Sequence, residues 1–196
     1  WNYENSLGFP NVRLDKKASA SSDRYCLSQN KGLKEQGIVF LEEMERLGMI
    51  IDVSHLSDAG FYDVLEHTTK PFVASHSNAR SVCPAVRNLT DDMVRRLAER
   101  GGITGINFCK EFLGKPDVSQ NYLDQAVVHM KYLINLGGED FVALGSDFDG
   151  ITRYHDLSDC SVMPKLVHTM KKAGLTPTQI EKICYKNTLR VYRELL

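Results

Sequence analysis

Two short stretches of the chain end alike. Asp52, Val53, Ser54 and His55 close one apolar run, and Val73, Ala74, Ser75 and His76 close another. A neutral imidazole binds zinc and related ions, so a matched pair of histidines is either a pair of metal ligands or two half-buried rings bonded to nearby loops. If the two runs are neighbouring parallel strands, about 4.8 Å apart, both rings leave the same end of the sheet and can reach one ion. A third run ends at Asn107, and a fourth leads into Gly145, Ser146, Asp147, Phe148, Asp149 and Gly150. Asp147 would lie on the same face as a ligand, a base or a holder of an ammonium group, whereas Asp149 before Gly150 suits a turn. Arg80 and Arg87 follow the second histidine. Their planar forks match a carboxylate or a phosphate, the alternative being ordinary surface arginines.

The elements that would position these residues alternate along the chain. Phe40, Leu41, Met44 and Leu47 recur at helical spacing among charged residues, and Gly48 stands where that helix would stop. Ser57 is a fitting N-cap for a second helix with Phe61, Val64 and Leu65 on its apolar stripe. Thr90 caps a third, with Asp91 and Asp92 in the positive first turn. A longer helix is expected over roughly 119–136, ended by Gly137 and Gly138, and Thr176, Pro177 and Gln179 mark the start of a helical tail.

Between these helices lie short runs near 49, 72, 103 and 141, apolar on both faces, as in a parallel sheet covered by helices. No G-x-G-x-x-G or G-x-x-x-x-G-K-[ST] is present, which removes the usual nucleotide-binding signals of an open doubly wound sheet. Polar residues just past the strands favour a (β/α)8 TIM-type barrel. Four strands are half of the eight that such a barrel needs, so the chain is expected to be the C-terminal half, with a preceding segment completing the cylinder. The expected organisation is one partial domain over 1–196: a loop region at 1–32, then the half-barrel with its helical tail at 33–196.

Composition bounds the partners. Lys and Arg number 24 against 25 Asp and Glu, a net charge of −1, which gives no electrostatic reason to expect nucleic acid or an anionic membrane. With 25% charged and 42% hydrophobic residues the chain is a globular domain, not a disordered one. No apolar run approaches the roughly 20 residues needed to cross a bilayer, and the first five residues are neither signal nor transit peptide. Cys26, Cys83, Cys109, Cys160 and Cys184 are odd in number and widely spread, which suggests free thiols in a reducing, cytoplasmic compartment. A homodimer is compatible with the sequence, although no self-complementary patch marks one.

Taken together, I-D-V-S-H (51–55), A-S-H-S-N-A-R (74–80), V-R-N-L-T-D-D (86–92), I-N-F (106–108) and G-S-D-F-D-G (145–150) resemble the membrane (renal) dipeptidase family of zinc metallopeptidases. The resemblance runs over nearly the whole chain. It implies a metal-dependent hydrolase barrel with two zinc ions at the C-terminal strand ends, where a metal-activated hydroxide attacks the carbonyl of a dipeptide. It also implies roles: His55 and His76 as ligands of one zinc, Arg87 as the grip on the substrate carboxylate, and Asp147 as the group that meets the amino end and transfers the proton. Asn107 closes the third strand beside them as a substrate contact, and Arg80 is a neighbour without such a role.

The sequence departs from the family pattern at one end. The H-x-D pair and bridging glutamate of the family are not among these residues, so the 196-residue chain alone is expected to be inactive. Where many members carry a transition-state histidine this chain has Trp1, Asn2 and Tyr3, leaving Asn2 or Tyr3 as substitutes. His67, His129, His155 and His168 do not fill the gap. Two other readings stay open at this level: a non-catalytic barrel scaffold or binding protein, and another metal-dependent amidohydrolase.

Overall fold

The computed structural model describes residues 3–14, 25–27, 30–118, 120–152 and 156–196; Trp1, Asn2, His155 and the side chain of Cys26 lie outside that set. In chain order, β1 (Val12–Leu14) pairs antiparallel with β2 (Tyr25–Leu27), Val12 facing Leu27. The 1–32 stretch is therefore more than loop. Strands of three residues are too short for a period of two to register in the sequence.

From residue 33 onward helix and strand alternate. Helix α1 (Glu35–Arg46) is followed by α2 (Asp58–His67), where the Ser57 hydroxyl accepts the Gly60 N–H at 3.0 Å as the expected cap. Strand β3 (Val73–Ala74) leads to α3 (Asp91–Glu99), capped by the Thr90 hydroxyl on the Met93 N–H. Then come β4 (Ile103–Asn107), the short α4 (Lys110–Leu113), α5 (Tyr122–Gly137) and β5 (Val142–Ser146). Helix α5 starts later than the expected 119 because Asn121 and Asp124 form a reciprocal capping box.

The three strands are parallel in the order β3-β4-β5, each crossover carried by a helix. A fourth strand, expected near 49, is reduced to one parallel bridge between Asp52 and Val73; the Val53 N–H donates to Val73 O and the Val73 N–H to Ile51 O, both at 2.9 Å. Its partner β3 is only two residues long, so the ladder has nowhere to extend.

Phe72, Ala74, Ile106 and Val142 enter the main core with Leu97, Met130 and Leu133 from α3 and α5. Ile103 and Ala143, alternating with these, pack against Val191. Val191 belongs to the helical tail: α6 (Met163–Lys172), α7 (Pro177–Glu181) with the Thr176–Gln179 capping box, a π-helical turn over Lys182–Lys186, and α8 (Asn187–Leu195). The Asn187 amide donates to Glu139 O and Val142 O at 2.9 and 2.8 Å, and Arg190 to Gly101 O at 2.8 Å and Asp140 O at 3.1 Å. The tail thus fastens the segments that enter β4 and β5, leaving the opposite, C-terminal strand ends to carry polar residues.

Candidate active site

The two Ser-His pairs meet at those ends. The Nε2 atoms of His55 and His76 lie 2.9 Å apart, with ring centroids separated by 4.9 Å at an interplanar angle of 61°. The serines tie the two segments reciprocally. The His76 N–H donates to Ser54 Oγ at 2.9 Å, while the Ser75 N–H donates to Asp52 Oδ1 at 2.9 Å. The Ser75 hydroxyl also lies 2.5 Å from Asp52 Oδ2 and 2.7 Å from His76 Nδ1, and the Ser54 N–H completes the set on Asp52 Oδ1 at 3.1 Å.

Room for this crossing comes from two glycines. A Cβ on Gly105 would stand 2.1 Å from the Ser75 carbonyl oxygen, and one on Gly145 would stand 2.2 Å from the same atom and 2.9 Å from His76 Cα. Only glycine lets the histidine-bearing backbone pass so close to β4 and β5.

Burial keeps both imidazoles neutral, and the Arg87 guanidinium reinforces it: His55 is pushed down to about 3 and His76 is lowered as well. Asp52 feels an upward push from burial, which the hydrogen bonds from Ser75 and Ser54 and the nearby His76 outweigh, so its carboxyl sits below the ordinary value. Neutral, bare imidazole nitrogens are what a zinc ion requires. A tetrahedral ion with bonds of about 2.0–2.1 Å holds two such nitrogens about 3.3 Å apart, close to the separation seen here. The donor set fits a zinc ion to that extent. Among the described residues no group of three or more His, Cys, Asp or Glu side chains could hold a metal, and this part of the chain brings two imidazoles together.

Arg87, 4% exposed, places Nη2 3.3 Å from His55 Nε2 and its guanidinium carbon 5.5 Å above the Phe112 ring. Arg80 points elsewhere. Its fork takes both oxygens of Asp58 at 2.7 and 2.8 Å, and it also donates to the carbonyls of Asn88 and Val86 at 2.8 and 2.9 Å, which shapes the loop that delivers Arg87.

Asn107 is fully buried and its amide is shared among three partners. Nδ2 donates to Asp147 Oδ2 at 3.1 Å and to the His76 carbonyl at 3.3 Å, and Oδ1 accepts the Cys109 N–H at 2.8 Å. Ser146 and Asp147 adopt left-handed φ values of 39° and 67°, a conformation that turns the chain sharply at the end of β5. Gly150 accommodates the result, since a Cβ there would meet Asp147 Oδ1 at 2.3 Å. Asp149 is exposed beside it.

The other histidines stand apart. His67 and His168 lie on exposed helix faces, and His129 is buried in α5, where Nε2 lies 2.9 Å from Leu113 O and Nδ1 accepts the Ala79 N–H at 3.2 Å. Tyr3 is 47% exposed. Sequence reading passed over Asp52, Ser54 and Ser75 as site residues. The signal was there in the repeated Ser-His, whose two serines reach across to each other's segment.

Helix-covered parallel strands with a histidine pair, an arginine and an aspartate at their C-terminal ends define part of a metallohydrolase barrel of the (β/α)8 kind. The profile described as "Membrane dipeptidase (Peptidase family M19)" matches residues 7–195, and the chain belongs to that family. It is 43% identical over 167 residues to an uncharacterized protein in the pqqA 5′ region of Klebsiella pneumoniae, covering 84% of this chain and 61% of that protein. An uncharacterized dipeptidase of Schizosaccharomyces pombe is 37% identical over 167 residues, covering 84% of this chain and 40% of the other. A metallopeptidase from Rhodobacter sphaeroides, solved with a phosphinate mimic of the dipeptide L-Ala-D-Ala, superimposes with a TM-score of 0.86 at 32% identity, covering 100% of this chain and 54% of that one. The chain therefore spans between about two fifths and three fifths of these relatives. Among the described residues no helix is long and apolar enough to cross a membrane.

Proposed function

We propose that the chain carries one side of the active site of a zinc-dependent dipeptidase, completed by a further barrel segment. The observation that carries this reading is the convergence of His55 and His76 at 2.9 Å with the Arg87 guanidinium 3.3 Å from the same nitrogen. His55 and His76 hold the metal through Nε2. Zinc, when bound, lowers the pKa of a coordinated water toward about 7 and polarises the scissile carbonyl. Arg87 binds the substrate's terminal carboxylate, its fork made stronger by burial against Phe112. Asp147, fixed by Asn107, meets the amino end of the substrate, takes the proton of the attacking water and delivers it to the leaving nitrogen. Asn107 contributes to substrate binding by holding Asp147 in position.

With a cation grip at one end and a carboxylate at the other, the site selects by length, and peptides longer than two residues are rejected. The mimic-bound Rhodobacter sphaeroides relative supports a dipeptide as the substrate class. A cytoplasmic setting belongs to the same reading, supported by the free thiols of Cys83, Cys109, Cys160 and Cys184. The test is hydrolysis by the native-length protein with zinc. Free dipeptides should be cleaved, while tripeptides and N-acetylated or C-amidated dipeptides should be poor substrates. Cleavage of tripeptides as fast as dipeptides, or failure of His55→Ala and His76→Ala to reduce zinc content, would overturn it.

A further inference from the structure

Ser75 has one hydroxyl proton and two neighbours in reach of it, Asp52 Oδ2 at 2.5 Å and His76 Nδ1 at 2.7 Å. An oxygen pair at 2.5 Å is the length of a strong O–H···O⁻ bond and needs a proton between the atoms. Asp52 also accepts the backbone N–H groups of Ser75 and Ser54, the pattern of an ionised carboxylate, so the proton in that gap is the hydroxyl's own. The Ser75 oxygen then has only lone pairs to offer His76. At 2.7 Å the bond must run the other way, with Nδ1–H donating to Ser75. A neutral ring carries one proton, so His76 Nε2 is bare and faces His55 Nε2, which itself accepts from Arg87.

We propose that Asp52 is a positioning residue that acts through the Ser75 hydroxyl to lock His76 in its Nδ1–H tautomer, presenting Nε2 as a metal donor. The proton order is His76 Nδ1–H to Ser75 Oγ, then Ser75 Oγ–H to Asp52 Oδ2. A ligating histidine is commonly oriented by a carboxylate or carbonyl bonded directly to its second nitrogen. Here a serine stands between, placed by the same backbone N–H that bonds Asp52, so ring orientation is tied to the pairing of Asp52 with β3. The inference rests on the metal-site reading above, but the tautomer can be measured without any metal.

The experiment uses the native-length protein, metal-stripped and labelled with 15N-histidine, with long-range proton–nitrogen spectra recorded near neutral pH and the His76 signals assigned by their loss in His76→Gln. The expected result is a protonated Nδ1 and a bare Nε2 in the wild type. Ser75→Ala and Asp52→Asn should shift His76 toward the Nε2–H form and weaken zinc binding, by chelator competition, about 10- to 100-fold. Ser75→Thr, which keeps the hydroxyl, should restore both. A wild-type His76 protonated at Nε2 overturns the relay even if the variants fail to fold, and so does a folded Ser75→Ala protein with unchanged tautomer and zinc affinity. Loss of dipeptide hydrolysis as the correct activity, with the Nδ1–H tautomer observed, removes the proposed substrate and leaves the relay standing.

Discussion

The side-chain nitrogen of Asn107 lies 3.1 Å from the Asp147 carboxylate and reaches the His76 carbonyl at 3.3 Å, so one amide spans the ends of β3 and β5. Asp147 stands on a left-handed backbone and would otherwise be free to swing. Asn107→Asp replaces the donor with a like charge. It should lower kcat for a dipeptide about 100-fold, the usual effect of a misplaced catalytic group, with little change in zinc content. Steady-state kinetics with metal analysis checks both halves of that statement.

Arg87 is predicted to be read by the substrate's carboxylate. Arg87→Lys keeps the charge and loses the paired N–H fork, and kcat/KM for free dipeptides should fall about 10- to 100-fold. Dipeptide amides, which lack the anion, should lose far less. Equal losses for the two substrates would show that Arg87 acts on something other than the carboxyl end.

Gly105→Ala and Gly145→Ala each force a Cβ to within 2.1 or 2.2 Å of the Ser75 oxygen. The backbone must move, at a cost of about 1–3 kcal/mol typical of overpacking. Denaturant unfolding should show that loss together with weaker zinc binding, because the shifted segment bears His76.

His129 supplies a pH signature remote from the site. Burial depresses it to about 4, and its Nδ1 must stay bare to accept the Ala79 N–H. The unfolded state, with a histidine near 6.5, binds the proton more tightly, so stability is intact above about 6.5 and falls as pH drops toward 4, by up to roughly 3 kcal/mol. His55 is depressed too and adds to the slope. The difference between wild type and His129→Gln in chemical denaturation across that window isolates the His129 share, and a flat difference would contradict this assignment.

Local chemistry made much of this architecture readable. The caps at Ser57, Thr90 and Thr176 are read by side chains that bond their own helix, so they depend on neighbours in sequence and came out where expected. The parallel strands were visible because both faces are apolar. What stayed hidden depends on contacts between distant segments. Asp52 looks like any strand-end polar residue until Ser75, 23 positions on, closes on it. Arg80 and Arg87 are alike as a sequence pair, and only Asp58, 22 residues from Arg80, separates their uses. The β1–β2 pairing and the short α4 have too few residues to carry a period.

The π-helical turn at Lys182–Lys186 also fixes how the tail tolerates length change. Such a turn accommodates one surplus residue within a helix. Deleting a single residue there would restore regular winding but rotate everything downstream by about 100°, swinging Asn187 and Val191 off the sheet. Single-residue deletions within 182–186 should therefore be far more damaging than point substitutions at its exposed positions, and this stretch makes a poor site for tags, permutation or loop grafting.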